Sequence, residues 1–267
     1  VEVTLINRDA WHGIRVRNYE SDLSDLRVPL DAVLEPAGVR RIEGEVIDIN
    51  PNARHVAVQA SDGARNVTYD RLVVAAGSRV NLPEIPGLAA HGMNVDTYDE
   101  AERLDRHLRA LPNRAPTDGR DSVLVIGAGL TGIEVACHMP DRLKALGSDS
   151  GRVILADRLA HIGSDMGEHA RPVIDRALDE LGVETRTAIE VTAVDDGGVT
   201  LTDGERIAAD TVVWFAGMVA SPLAASLPGA RDRWGRLPGD QFMKVEGFDN
   251  VYAAGDIPSA GLNDEQA

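Results

Sequence analysis

Residues 122–134 read SVLVIGAGLTGIE, and this stretch decides the fold. Residues 123–126 are a short apolar strand. Gly127, Gly129 and Gly132 then complete G-x-G-x-x-G, and a helix-like run starts at Leu130. Each glycine answers a physical demand: Gly127 permits a tight strand-to-helix turn, Gly129 lets the backbone approach a pyrophosphate, and Gly132 lets the helix pack close to the strand. The helix N-terminus offers free N–H groups and the positive end of a dipole to the phosphates. The motif alone also describes a glycine-rich turn in an unrelated α/β domain. Here a second strand, VILAD at 153–157, follows and ends in an acid, which makes a dinucleotide turn the better reading. Asp157 comes later than the usual spacing of roughly 20 residues, and the polar stretch 147–151 accounts for the excess as a longer connection. A carboxylate there can hydrogen-bond both ribose hydroxyls of NAD and repel the 2′-phosphate of NADP; the bland alternative is a solvated acid at a strand end. Arg158, beside it, can accommodate a phosphate, so NAD is favoured over NADP without being fixed.

The helix after the loop meets Pro140 about eleven residues in, where proline should kink or end it. Cys137 and Met139 read as core packing. Glu134, two residues past Gly132, sits near the path of the ligand; it is either a positioning residue or a charge placed favourably against the helix dipole. A second helix is expected over 165–181, with Ile174, Leu178 and Leu181 at helical spacing, Gly182 behind them, and Pro172 marking a kink or the true first turn. His161 and His169 have no second ligand type at metal spacing, so no metal site is expected.

Working outward, the chain contains one unit twice. Residues 38–77 and 182–217 both begin Gly-Val, run through alternating strand-like segments and pass an Asp-Gly turn, Asp62-Gly63 or Asp203-Gly204. Both then reach Asp70 or Asp210 and an apolar run, 72–76 or 212–216, that ends in Ala-Gly. Asp-Gly between β-prone residues marks a hairpin, and continuous apolar runs mark buried parallel strands. Upstream, VTLIN at 3–7 matches VILAD at 153–157, but nothing matches the 122–132 strand and loop. The repeat thus leads to the expectation that a strand and a glycine loop, about 30 residues by the size of a βαβ unit, belong ahead of residue 1.

Bulk properties bound the function. The 267 residues are 43% apolar, 4% aromatic and carry 26 glycines, which suits one large or two small folded domains. A net charge of −16 argues against nucleic acid and against unaided binding to an anionic membrane. No run approaches the roughly 18 apolar residues that span a bilayer, and no signal peptide is visible. Cys137 is the single cysteine, so an internal disulfide and disulfide reduction are excluded. A reducing cytoplasm is the default compartment.

Three further segments, YDRLVVAAGS at 69–78, VWFAG at 213–217 and VYAAGDI at 251–257, follow in order with the glycine loop. Together they resemble the FAD- and NAD-dependent pyridine nucleotide-disulfide oxidoreductase superfamily over essentially the whole chain. DLRVPL at 25–30 and GEVID at 44–48 favour the type II NADH dehydrogenase-like branch. The resemblance implies an α/β fold of two Rossmann-like domains, an NAD domain inserted into an FAD domain, each with a small β-meander. The expected boundaries are 1–115 and 220–267 for the FAD domain and 116–219 for the NAD domain. It also implies roles. Asp256 would bind the FAD ribityl chain, with Gly255 allowing close backbone approach. Ala76 and Gly77 would end the strand that passes near the flavin dinucleotide, Val46 would meet the adenine through its backbone, and Gly217 would lie near NAD. Asn7 stands where many relatives have an acid for the FAD ribose, and an amide bonds less strongly than a charge. The expected activity passes hydride from NADH to FAD and electrons onward to an acceptor such as a quinone. No residue is assigned a proton-transfer role. A homodimer and peripheral contact with the inner face of the cell membrane stay open. The alternatives are a non-catalytic, redox-sensing nucleotide module, or a fragment that binds NAD without flavin.

Overall fold

A computed structural model describes residues 1–148 and 151–260. The chain divides into two compact units. One comprises Val1–His12, Arg27–Arg79 and Met218–Ala267, and the other Gly13–Leu26 and Val80–Gly217. The second is thus inserted, in sequence, into the first.

In the first unit, strand β1 (Thr4–Asn7) pairs in parallel with β2 (Arg40–Glu43). An antiparallel meander follows, formed by β3 (Glu45–Asn50), β4 (His55–Ala60) and β5 (Gly63–Thr68). The expected Asp62-Gly63 turn joins its last two strands. Strand β6 (Leu72–Val74) is the apolar run before Ala-Gly, but it is not buried as expected: only Val74 is in the core, and Val73 is exposed.

In the second unit, β7 (Gly92–Met93) leads into helix α1 (Tyr98–Ala110). Strand β8 (Ser122–Ile126) is buried at every residue and carries the glycine turn into helix α2 (Leu130–Ala145). Strand β9 (Arg152–Ala156), helix α3 (Arg171–Glu180) and β10 (Glu184–Arg186) follow. A second meander, β11 (Val191–Asp195), β12 (Gly198–Leu201) and β13 (Arg206–Ala208), precedes β14 (Thr211–Trp214). The main sheet is parallel in the order β7-β14-β8-β9-β10. Its two faces bury Val123, Val125, Val135 and Met139 on one side and Leu124, Ile126, Val199 and Val212 on the other. Returning to the first unit, β15 (Val251–Ala253) pairs in parallel with β6.

The repeat is therefore structural: β1–β2 corresponds to β9–β10, each meander to the other, and β15–β6 to β7–β14. The fold is mixed α/β with parallel sheets of Rossmann type. The expected boundary at 115 does not coincide with the compact units, because residues 80–115 and 13–26 belong to the second. The reason is apolar: Ala101, Leu104 and Leu108 of α1, with Tyr19 and Leu23, pack into the core that holds Val123 and Val213. The buried Asn18 side-chain amide also donates to the Val95 carbonyl at 3.0 Å.

Two local expectations change. Pro140 neither kinks α2 to a stop nor ends it, since the helix continues to Ala145; Met139 and Leu143, both buried, hold the two sides of the proline in the core. The second helix starts at Arg171, not 165, so Pro172 lies in its first turn, where a missing N–H costs no hydrogen bond. The expected long connection at 147–151 lies partly outside the described residues. Among those described, no helix is long and apolar enough to cross a membrane.

Candidate dinucleotide site

Gly127 has φ +103, and a Cβ there would stand 2.5 Å from the Phe215 carbonyl oxygen, so the end of β14 presses on the turn. Its N–H donates to Ala156 O at 2.8 Å, tying the turn to β9. A Cβ at Gly132 would collide with the Gly127 carbonyl oxygen, so α2 packs against the turn at a distance only glycine allows. Gly129 differs. Its backbone is extended, and a Cβ would meet nothing closer than Asp165 Oδ2 at 3.9 Å. The first intrahelical bond of α2 runs from Ile133 N–H to Gly129 O at 3.0 Å, and the amides before it have no partner within the helix. The turn forms a cradle open at Gly129 and closed at Gly127 and Gly132, with helix N-terminal amides of the kind that bind a diphosphate. The donor set and the open face fit a dinucleotide.

Asp157 follows β9 and turns back onto this loop. Its Oδ2 accepts the Ala128 N–H at 2.6 Å and its Oδ1 accepts the Leu159 N–H at 2.8 Å. Arg158, next to it, is exposed. Glu134 is half-buried on α2, and burial pushes its carboxyl up while His138 opposes the shift. Tyr19 stacks at a tilt on His138, with ring centres 4.8 Å apart, and its hydroxyl is pushed up by burial and by Glu134. Cys137 is likewise held above its ordinary value by burial and by Glu134, the opposite of a reactive thiol. Gly217 ends the run after β14, with φ +98. Gly127, Gly129, Gly132, Glu134, Asp157, Arg158 and Gly217 all belong to the second unit.

The remaining candidates lie in the first unit. Asp256 is exposed, and its Oδ2 accepts the Ser78 hydroxyl at 2.5 Å. Gly77 and Gly255 have φ +66 and +67 with open space where a Cβ would stand. The structure thus brings Gly77 and Asp256 together through Ser78, which the sequence reading did not single out. Ala76 is exposed beside them. Asn7 ends β1: its side-chain amide donates to Asp9 O at 2.9 Å and its carbonyl accepts the Gly44 N–H at 3.0 Å. Val46 follows on β3, packed against the core of the unit. Beside them lies a cavity of about 240 Å³ lined by Arg8, Glu43, Gly44, Glu45, Gln59, Ala60 and Ser61. These residues fit parts of a flavin dinucleotide, its polyol chain and its adenosine end. Among the described residues of this unit, no glycine loop opens a helix to take the diphosphate between those parts. The described residues also hold no cluster of His, Cys, Asp or Glu suited to a metal ion.

Known proteins resemble the chain throughout. An NADH dehydrogenase-like protein of Mycobacterium tuberculosis is 51% identical over 269 residues, 99% of this chain and 66% of that protein. A type II NADH:quinone oxidoreductase of Staphylococcus aureus is 29% identical over 279 residues, 96% of this chain and 67% of that protein. Thus the chain spans about two thirds of the length of these relatives. Among solved structures, NDH2 from Plasmodium falciparum in complex with NADH superposes with a TM-score of 0.84 over 97% of this chain and 60% of that one, at 16% identity, a likeness of fold. The model of the pyridine nucleotide-disulphide oxidoreductase family matches residues 2–264, and with the paired Rossmann units and the glycine cradle the chain belongs to that family.

Proposed function

We propose that the chain is the nucleotide-handling part of a flavin-dependent NADH oxidoreductase whose electrons pass to a quinone-class acceptor. The observation that carries this reading is the cradle at the start of α2, open only at Gly129, with the Asp157 carboxylate beside it. The names of the relatives from Staphylococcus aureus and Mycobacterium tuberculosis support NADH as donor, and the former supports the acceptor. When bound, FAD supplies the hydride and electron chemistry, and the protein supplies orientation and electrostatics. The amides of the first turn of α2 neutralise the diphosphate of NAD, Asp157 accepts the ribose hydroxyls, and Gly217 lets the strand end lie close to the nucleotide. Glu134 positions the nicotinamide end from the first turns of α2. In the first unit, Asp256, fixed by Ser78, takes a flavin ribityl hydroxyl; Gly255, Gly77 and Ala76 admit the dinucleotide, and Asn7 and Val46 address ribose and adenine. Peripheral contact at the cytoplasmic membrane face follows from a quinone acceptor. Titration of NADH and NADPH into the purified chain tests the reading. NADH should bind at least about tenfold tighter, a difference of about 1.4 kcal/mol. Equal affinities would move the selection from Asp157 to Arg158, and no binding of either would refute the cradle.

A further inference from the structure

We infer that Asp157 is a positioning residue for the phosphate turn as well as a ribose acceptor, so its removal weakens both nucleotides and does not convert the chain to NADPH. The inference rests on the nucleotide reading above. Ala128 lies between the first two glycines of the loop and is 2% exposed. Its carbonyl accepts the Gly163 N–H at 3.0 Å, and its N–H has the Asp157 Oδ2 as acceptor at 2.6 Å. Water does not reach that buried N–H, so without the carboxylate it stands unsatisfied, an arrangement that proteins avoid. The loop then relaxes toward another acceptor, and the turn that shapes the cradle relaxes with it.

Asp157 is itself held on every side. Its own N–H donates to Arg186 O at 2.8 Å, its carbonyl accepts the Ile189 N–H at 3.2 Å, and its Oδ1 takes the Leu159 N–H at 2.8 Å. The carboxylate is therefore a fixed strut between the end of β9 and the loop. Each carboxylate oxygen offers two acceptor positions, so bracing the loop leaves capacity for ribose hydroxyls. One group thus shapes the diphosphate cradle, common to NADH and NADPH, and discriminates at the 2′ position, where they differ. Substitution relieves the repulsion of a 2′-phosphate, but only in a cradle that has lost its shape.

The test combines amide exchange in the nucleotide-free 267-residue chain with nucleotide titrations, for Asp157→Ala and Asp157→Asn. The expected result is exchange at Ala128 faster by about tenfold or more, with Leu124 and Val125 of β8 as protected as before. NADH weakens by about tenfold or more, in line with loss of a charge-assisted hydrogen bond, and NADPH binds no tighter than to the parent. Unchanged Ala128 protection, or a gain in NADPH affinity, overturns the inference. Should Asp157→Ala lose protection throughout β8, Asp157→Asn decides: its single acceptor oxygen must serve both the Ala128 and Leu159 N–H groups, so faster exchange at either supports the inference and unchanged exchange at both overturns it. If the unsubstituted chain takes up neither nucleotide, the nucleotide reading fails, while exchange at Ala128 still decides whether Asp157 braces the loop.

Discussion

At Gly129 a methyl group would enter open space, whereas at Gly132 it would strike the Gly127 carbonyl. The two glycines of one motif therefore differ: Gly132 answers to the fold, and Gly129, on the proposed reading, to a ligand. Gly132→Ala should lower unfolding stability by about 1–3 kcal/mol, the usual range for overpacking a filled site, as read by denaturant titration. Gly129→Ala should leave stability within about 0.5 kcal/mol of the parent, because its backbone already suits alanine and the unfolded chain loses entropy. Its NADH dissociation constant should nevertheless rise by about tenfold or more, a change of about 1.4 kcal/mol, since the methyl stands where the pyrophosphate approaches. Undiminished NADH affinity in the Gly129 variant would show that the diphosphate lies elsewhere. These glycines were legible because spacing, strand and helix are local. The acceptor for the Ala128 N–H was not, since it depends on the end of one strand folding back onto a loop that precedes it by a whole helix. Ser78 beside Asp256 was harder still: one opens a short strand and the other lies on a turn far from it in sequence, and a serine after Ala-Gly carries no signal of its own.

Among elements, α1 shows how an unanticipated helix becomes part of the sheet's support. Thr97 caps it, with Oγ1 accepting the Glu100 N–H at 3.3 Å, and the T-x-x-E spacing ahead of Ala101, Leu104 and Leu108 was present in the sequence. His107 on this helix shares a 2.9 Å hydrogen bond with the hydroxyl of the fully buried Thr211, the first residue of β14. Burial, with Arg114 adding to it, lowers the imidazole from 6.5 to about 4. Between those values the unfolded chain binds a proton that the folded chain refuses. Stability linked to His107 is therefore fully present above the unfolded value and is lost as pH falls through the folded one. His107→Gln should melt below the parent at pH 7 yet lose less melting temperature on titration from about pH 6.5 to about pH 4; parallel melting curves would sink the assignment. Pro140 gives the converse test within α2. A proline inside a helix forfeits one backbone hydrogen bond and costs about 3 kcal/mol against alanine, offset by about 0.4–1 kcal/mol of unfolded-state entropy. Pro140→Ala should raise the melting temperature, and a drop would mean that the ring fills core space an alanine leaves empty. Both meanders were legible from their turns, and buried β14 from its apolar run, whereas the matching run of β6 leaves Val73 exposed. The split of residues 80–115 was not, because it is decided by where α1 buries its apolar face, a tertiary fact without local punctuation.

At the scale of the whole molecule, the described residues of the two copies of the repeat differ in one strand, and that difference sets the flavin prediction. In the second unit β8 sits between β14 and β9 and delivers the glycine loop to the middle of a five-stranded sheet. In the first unit the counterparts of those neighbours, β6 and β1, belong to separate two-stranded pairs, β15–β6 and β1–β2. No strand among the described residues occupies the place of β8. Asp256, Gly77, Asn7 and Val46 remain to address ribityl, ribose and adenine groups, but a diphosphate needs backbone donors at a helix N-terminus to offset its charge. Hydrogen bonds to charged groups are worth about 1.5–3 kcal/mol each, so losing two or three weakens FAD by several kcal/mol, roughly a thousandfold or more. A polypeptide of these 267 residues alone should therefore purify with little flavin absorbance while still binding NADH, because β8 and its glycine turn lie within the five-stranded sheet of the second unit. Grafting a strand, glycine loop and helix of the 122–145 type ahead of Val1 should restore flavin, measured as absorbance per chain after dialysis against FAD. Stoichiometric FAD in the ungrafted chain would overturn the prediction. In that case the phosphates must be carried by another segment, and the arginines from Arg8 to Arg17 become the first to substitute.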